Sequence, residues 1–443
     1  MIIRPWLRFV SLGSGIVLAA GGNVVAVQPE SAPVLQPVPE ADRVARWNQD
    51  LDALLKEFPA GHKNAFFRIT QDSWNARAAD IRAIIPEKSD QQLVVELKRL
   101  VALIGDGHSM ISSDAQSAVP PSKPYLLGLA WLSDGVFLSA IPKQHEALLA
   151  QRLVRLGDTP LEKAIELVAT LRAHDNEFGR RNHVVQDLRD AESLAALGIV
   201  PGADSALFTF ADAAGAETTI RLFPLSMQPT PDAIAMRPDP AAVPISRQPR
   251  RAPYGFQVLP DLSSFYIWYD TCNDRGDKTV AQFSDEAIAA LDGELTRKPS
   301  SVECVIVDFR RNGGGNSALL SPLIDHLARR DHLGKEHRLF ALIGRNTFSS
   351  AMMNASRLRS VAGARLVGEP TGGTPNGYGE VRTFRLPNSQ LIVQYSTKFF
   401  RFDAPGTDAV LPDIRIEPDS AAFFSVQDAV LDAAAHAPRH RPE

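Results

Sequence analysis

Between residues 40 and 104, apolar side chains recur every three or four positions: Trp47, Leu51, Leu54, Leu55 and Phe58, then Val94, Leu97, Val101 and Ile104. That period places them on one face of a helix, so residues 40–115 read as a small helical unit. Gly105-Asp-Gly-His ends the second helix, because two glycines within three positions stop its propagation, and it leaves His108 on a loop. From Tyr125 to Phe223 the texture changes to short strands. These are Ala130 to Leu138 around an Asp134-Gly135 turn, Leu153 to Leu156, and a hairpin from Leu207 to Leu222 around Gly215. Helical stretches from Leu161 and from Val184 to Leu197 interrupt them, so residues 120–225 predict an α+β module.

Residues 226–252 are proline-rich with little apolar periodicity and read as a linker or surface arm. Beyond them, strands and helices alternate. Strand Phe265 to Tyr269 precedes a helix with Ile288, Leu291 and Leu295 on one face; strand Val302 to Asp308 precedes a helix carrying Leu320, Leu323, Ile324 and Leu327. Strand Leu339 to Ile343, a helix from Ser349 to Leu358 and strand Arg365 to Val367 follow. This rhythm predicts a largely parallel, layered α/β core over 253–437. Ligands of such sheets collect at the carboxyl ends of strands. Both the loop Gly313-Gly-Gly315 and the segment Gly344 to Ser350 sit there.

Composition narrows the class. The 443 residues are 44% apolar and 22% charged with a formal charge of -4, which fits a soluble globular protein with more than one domain. With no basic cluster beyond a few residues, nucleic acid is disfavoured as a partner. Arg4 and Arg8 precede an apolar stretch from Phe9 to about Ala20 and the small residues Val24-Val-Ala26. Residues 1–26 therefore read as a signal peptide, interrupted by Ser11, Gly13, Ser14 and Gly15 and too short to span a bilayer, which implies a secreted or periplasmic chain without a stable membrane span. Cys272 and Cys304 form no disulfide framework.

The chemistry begins where the β-branched run Val302-Glu-Cys-Val-Ile-Val-Asp308 stops and three glycines follow Phe309-Arg-Arg-Asn312. Residues without Cβ atoms let another molecule approach the main chain, as an anion or oxyanion cradle requires. One strand along, Ser349 and Ser350 stand where a strand has ended and a helix begins; capping accounts for one hydroxyl there, such as that of Thr347. Rival signatures are missing: there is no Gly-x-Ser-x-Gly elbow and no Ser-x-x-Lys, and His145-Glu-Ala-Leu-Leu lacks the second histidine of a zinc helix.

Asp308-Phe-Arg-Arg-Asn-Gly-Gly-Gly, Asn346-Thr-Phe-Ser-Ser-Ala and Val367-Gly-Glu-Pro-Thr-Gly-Gly, in that order, resemble the core of the tail-specific or C-terminal processing serine peptidases (S41-type), and the likeness extends through Leu411-Pro-Asp-Ile. The module containing Val154-Arg-Leu-Gly-Asp-Thr-Pro-Leu is similar, more loosely, to the PDZ-like domain of these proteins. The resemblance implies an α/β catalytic core of the crotonase-like type and a peptide or protein substrate. It makes Ser349 the nucleophile, and the backbone N–H groups of Gly314 and Ser350 the oxyanion donors, with no metal or organic cofactor.

One departure concerns the base. The family's usual lysine position is occupied by Thr374 in Thr371-Gly-Gly-Thr, and Lys398, the nearest downstream lysine, reads as a solvated strand residue. Gly105-Asp-Gly-His108-Ser resembles the histidine loop of the tricorn-like branch, which implies His108 as base and an acid near the C-terminal end. Asp408 occupies roughly that place, with Glu380 and Asp106 as competitors. The missing lysine also leaves open a catalytically inactive peptide- or lipid-binding protein on the same fold, since retinoid-binding proteins of the eye resemble this core.

Overall fold

The computed structural model describes residues 40–225, 235–236, 243–330, 333, 336, 338–404, 406–425 and 427–438. Residues 1–26, read above as a signal peptide, and most of the proline-rich arm lie outside them. The helical expectation holds: α1 (Glu40–Gly61), α2 (Gln71–Ile84) and α3 (Asp90–Ala102) pack through Trp47, Leu51, Leu54, Phe58, Trp74 and Leu97. Thr70 caps α2, and Ser89 with Gln92 forms a capping box on α3. Such caps contribute about 1 kcal/mol each by satisfying N–H groups that the helix leaves unpaired.

A short strand, β1 (Met110–Ser112), leaves this unit. The middle of the chain forms a mostly antiparallel sheet from β2 (Gly128–Leu132), β3 (Gly135–Pro142), β4 (Arg152–Leu156), β5 (Thr159–Pro160), β6 (Ala206–Ala211) and β7 (Glu217–Leu222). Helices α4 (Leu161–Val168), α5 (Glu177–Asp187) and α6 (Ala191–Ala196) belong to the same unit. Its core is built on Leu138, Leu153, Leu156, Phe208 and Phe210. The two-residue β8 (Ala235–Met236) pairs with β3.

The α/β core runs β9 (Tyr254–Leu259), β10 (Ser264–Tyr269), α7 (Val280–Arg297), β11 (Cys304–Asp308), α8 (Ser321–Arg329), β12 (Leu339–Ile343), α9 (Ser350–Ala362) and β13 (Arg365–Gly368). The long hairpin β14 (Asn376–Arg385) and β15 (Ile392–Arg401), then β16 (Ile414–Arg415), α10 (Ser420–Phe424) and α11 (Ala429–Ala435), complete it. The sheet order is β16-β13-β12-β11-β10-β9, parallel except for β9. Every residue of β11 and β12 is buried, which is why both read as unbroken apolar runs instead of alternating. Strands are added in one direction, so right-handed crossovers put α7, α8 and α9 on one face, and α11 covers the other.

Two tertiary features lie beyond the reach of local pattern. First, β1 pairs antiparallel with β15, and Phe384, Leu386, Leu391, Val393 and Tyr395 of the hairpin segment join the core of the N-terminal helices. The two ends of the described chain thus share one hydrophobic cluster, and the loop before β1 is carried to the α/β core. Second, Arg310 bridges Asp308, at the end of β11, to Asp428, the N-cap of α11, through paired bonds of 2.7 to 3.0 Å. The first residues of the Asp308 motif are therefore structural. No disulfide joins the two cysteines: both are buried, and burial pushes the Cys272 thiol up to about 11.

Candidate active site

Residues 344–350 are positioned from β12 outward. Thr347, fully buried, donates its hydroxyl to the Phe309 carbonyl at 3.0 Å and accepts from the Gly344 N–H at 3.0 Å, tying the ends of β11 and β12 together. It caps no helix. The Phe348 N–H donates to the Asn312 carbonyl at 3.1 Å, which joins this turn to the glycine loop. The chain then enters α9 through Ser349 at φ 51°, ψ −127°. A non-glycine residue held there costs on the order of 1–3 kcal/mol. The Ser349 hydroxyl does not cap the helix, and it makes no hydrogen bond among the described residues. A strained serine with an uncommitted hydroxyl at a helix N-terminus is what a nucleophile needs and a capping serine does not.

Asn312 shapes the opposite wall. Its Nδ2 donates to the Tyr269 carbonyl at 2.7 Å, and its Oδ1 accepts from the Gly314 N–H at 2.9 Å. The Ser350 hydroxyl donates to the Gly315 carbonyl at 2.6 Å, and the Cys272 N–H to the Gly314 carbonyl at 3.0 Å. Gly314 has φ +110°, and a Cβ there would lie 2.8 Å from the Ser349 Cβ and 3.2 Å from the Ser350 nitrogen. The loop and the serine turn are therefore in backbone contact, as the cradle reading required. The donor assignment changes in part. Because Asn312 already takes the Gly314 N–H, Gly314 serves as a spacer in this conformation; the N–H groups of Gly313, Gly315 and Ser350 are the ones with no acceptor among the described residues.

His108 reaches this site because β1 follows it immediately and pairs with β15; Gln394 Nε2 donates to the His108 carbonyl at 2.6 Å. The ring lies against Phe348, the residue before Ser349, with centroids 4.5 Å apart and an interplanar angle of 34°. Both ring nitrogens are buried without a hydrogen-bond partner, and Ser349 and His108 are not hydrogen-bonded to each other. An unpaired buried polar group costs about 1–3 kcal/mol, so no protein group in the described fold competes for these two nitrogens.

Among the acids, Asp106 is buried beside His108, with Oδ1 accepting the His108 N–H at 3.0 Å and lying 3.9 Å from Nδ1. Its Oδ2 accepts from His62 Nε2 at 3.0 Å and from the Ser109 hydroxyl at 2.6 Å. Burial alone would raise this carboxyl, but the His62 and Ser109 hydrogen bonds and the charge and N–H of His108 bring it down to about 2. Asp408 is placed differently from the expectation. It lies exposed on the loop after β15, its backbone carbonyl accepts from Asn176 Nδ2 at 2.9 Å, and its carboxylate makes no bond to His108. Glu380 is exposed and paired with Lys398 at 3.4 Å, so the nearest downstream lysine is a solvated strand residue far from an activating environment. Sequence reasoning missed Asp175, a carboxylate of the middle unit that accepts the N–H of Gly107 at 3.0 Å and of Thr374 at 3.3 Å. No local signal marks it, since it follows no motif and precedes an ordinary N-cap, Asn176.

No family model and no curated protein matches the chain. Solved structures do. Mature CPAF is 11% identical with a TM-score of 0.59 over 88% of this chain and 96% of its own. Mature CPAF complexed with lactacystin is 12% identical with a TM-score of 0.56 over 86% and 95%. The chain therefore shares the fold of mature CPAF. A weaker likeness, with a TM-score of 0.40 at 12% identity, is to the photosystem II D1 C-terminal processing protease, covering 89% of this chain and 99% of that one. At these identities the likeness establishes the fold, and the chemistry rests on the residues. Among the described residues no cluster of His, Cys, Asp or Glu is arranged to hold a metal ion, and no helix is long and apolar enough to cross a membrane.

Proposed function

We propose that the protein is a secreted serine-type peptidase in which Ser349 is the nucleophile and His108 the base. The observation that carries this reading is the conformation of Ser349: left-handed, uncapped and in backbone contact with Gly314, with the His108 ring against the preceding residue. In the reaction, His108 takes the hydroxyl proton as Ser349 Oγ attacks a peptide carbonyl. The Ser350 N–H, at the positive end of α9, meets the developing oxyanion. A second donor comes from the glycine loop: the Gly314 N–H once substrate displaces Asn312, or its uncommitted neighbours. The leaving amine takes the proton back from His108, and water activated by the same imidazole releases the acyl group. The Ser349–His108 hydrogen bond is expected to close when substrate binds, since catalytic hydrogen bonds commonly tighten only in the complex.

A second reading is a catalytically inactive peptide- or lipid-binding protein. It is favoured by the absence of a Ser349–His108 hydrogen bond and by a cavity of about 540 Å³ between β3, α10 and α11, walled by Phe423, Phe424 and Val430. A fluorophosphonate probe applied to the mature protein separates the two. Labelling that disappears in Ser349→Ala and slows in His108→Ala supports the peptidase, and a folded wild type that takes no label refutes it.

A further inference from the structure

The placement of Asp175 calls for a functional explanation, because the helix that follows it, α5, is fastened by four contacts and Asp175 itself by two more. Asn176, the N-cap of α5, donates from Nδ2 to the carbonyls of Thr371 at 3.0 Å and Asp408 at 2.9 Å. Gly179, in the first turn of α5, packs on Gly372 so closely that a Cβ would lie 2.5 Å from the Gly372 carbonyl. Farther along the helix, Asn182 Nδ2 donates to Asn346 Oδ1 at 3.1 Å. The start of α5 is thus fastened to the loop after β13 and to the segment leading into Ser349. Asp175, just before the cap, is pressed between Gly107 and Thr374 and accepts an N–H from each. A Cβ on Gly107 would sit 2.6 Å from Asp175 Oδ1, which accounts for the second glycine of Gly105-Asp-Gly-His108.

We propose that Asp175 is the positioning residue of the Ser349–His108 pair: the middle unit of the chain, not its C-terminal end, supplies the carboxylate that fixes the His108 loop and steadies the imidazolium. This inference rests on the peptidase reading. Two carboxylates face the His108 loop, and they differ in how they are committed. Asp106 lies nearer the ring, with Oδ1 3.9 Å from His108 Nδ1, but it is already engaged by His62, Ser109 and the His108 N–H. Asp175 is held by two backbone N–H groups and makes no side-chain ion pair among the described residues, and His108 is the one cation whose charge acts on it. Burial pushes the Asp175 carboxyl up; attraction to His108 opposes this, Asp106 adds to it, and the two N–H bonds lower it. Charge on either Asp175 or His108 therefore favours charge on the other. The remaining charged groups around the loop are Arg68, whose side chain packs on Gly105, and the exposed Glu380–Lys398 pair on the hairpin. The contact also places a peptide N–H of Thr374, the residue standing where a lysine base is usual, on the acid that serves the histidine.

The test follows the histidine directly. NMR titration of the His108 ring, assigned with His108→Ala, is compared between wild type and Asp175→Asn. Removing the negative charge disfavours the imidazolium, so the midpoint falls by about one pH unit or more. By reciprocity the Asp175 carboxyl signal of the folded His108→Ala variant titrates at higher pH than in wild type, an arm that does not depend on Asp175→Asn folding. Fluorophosphonate labelling of Ser349 in Asp175→Asn slows about tenfold or more, and its acid limb moves to lower pH with the His108 midpoint. Titrations that do not move, or a slower rate with an unmoved limb, overturn the positioning role and leave the peptidase reading intact. A wild type that shows the coupled titrations but takes no label overturns the peptidase reading instead, while upholding the Asp175–His108 coupling.

Discussion

Replacing Gly314 with alanine tests the backbone contact on which the site depends. At φ +110° an L-residue is strained by roughly 1–3 kcal/mol. The new methyl would also lie 2.8 Å from the Ser349 Cβ, 3.1 Å from the Phe348 carbonyl and 3.2 Å from the Ser350 nitrogen. Two of these three neighbours are backbone atoms and the third is the first atom of a side chain, so none can swing away. Overpacking of this kind adds about 1–3 kcal/mol, for a total of roughly 2–6 kcal/mol. Relief by moving the serine turn a few tenths of an ångström displaces the proposed nucleophile, Ser349, and the proposed donor, the Ser350 N–H, together. Misplacement approaching an ångström lowers reaction rates about 100-fold. Gly313→Ala is the matched control, because its φ is not left-handed and no atom lies within 4 Å of the added methyl. Denaturant unfolding and the rate of fluorophosphonate labelling read both effects. Gly314→Ala is expected to lose stability and nearly all labelling, and Gly313→Ala to stay within about 1 kcal/mol of wild type. Wild-type behaviour in Gly314→Ala, or equal damage in Gly313→Ala, would refute the reasoning.

Three further outcomes follow from the same geometry. Ser349→Gly relieves the left-handed backbone and should raise stability by about 1 kcal/mol while abolishing labelling, whereas Ser349→Ala abolishes labelling without that gain; thermal melts distinguish them. Arg310→Met leaves the buried Asp308 and Asp428 without their shared counter-ion, so urea unfolding should show a loss of about 3–5 kcal/mol. Asp106 titrates near 2 in the folded chain against an ordinary value of 3.8. Its stabilisation, roughly 2 kcal/mol, is fully present above the ordinary value and is lost as pH falls through about 2. Unfolding measured across pH 5 to 2 should therefore show a shallower acid loss in a folded Asp106→Asn variant.

The alternation of buried strands and amphipathic helices was legible because each element is specified locally. Leu339–Ile343 is an unbroken apolar run, and α2, α3, α5 and α7 begin at Thr, Ser, Asn and Thr caps whose side chains bond the next turn. The meeting of the glycine loop with the serine turn was legible for a related reason: glycines that must meet another backbone have few substitutes. The hairpin β14–β15 went unread, since its alternation is interrupted by Gly377, Gly379 and Lys398 and its inner face packs on helices from the other end of the chain. Which acids lie beside the His108 loop was not legible, because sequence order says little about which loops converge. Asp408 follows the expected order yet faces solvent, while Asp175, nearly 70 residues after His108, lies against its loop.

By itself, then, the sequence determined which segments become strands, helices and glycine turns, because hydrophobic period and backbone freedom are properties of a few neighbouring residues. It also singled out Ser349 and the residues around it. The pairing of β1 with β15, the approach of His108 to Phe348 and the wedging of Asp175 between Gly107 and Thr374 were decided by the tertiary structure alone. Those contacts join residues from about 70 to 290 positions apart, and only the burial of a shared core brings them together.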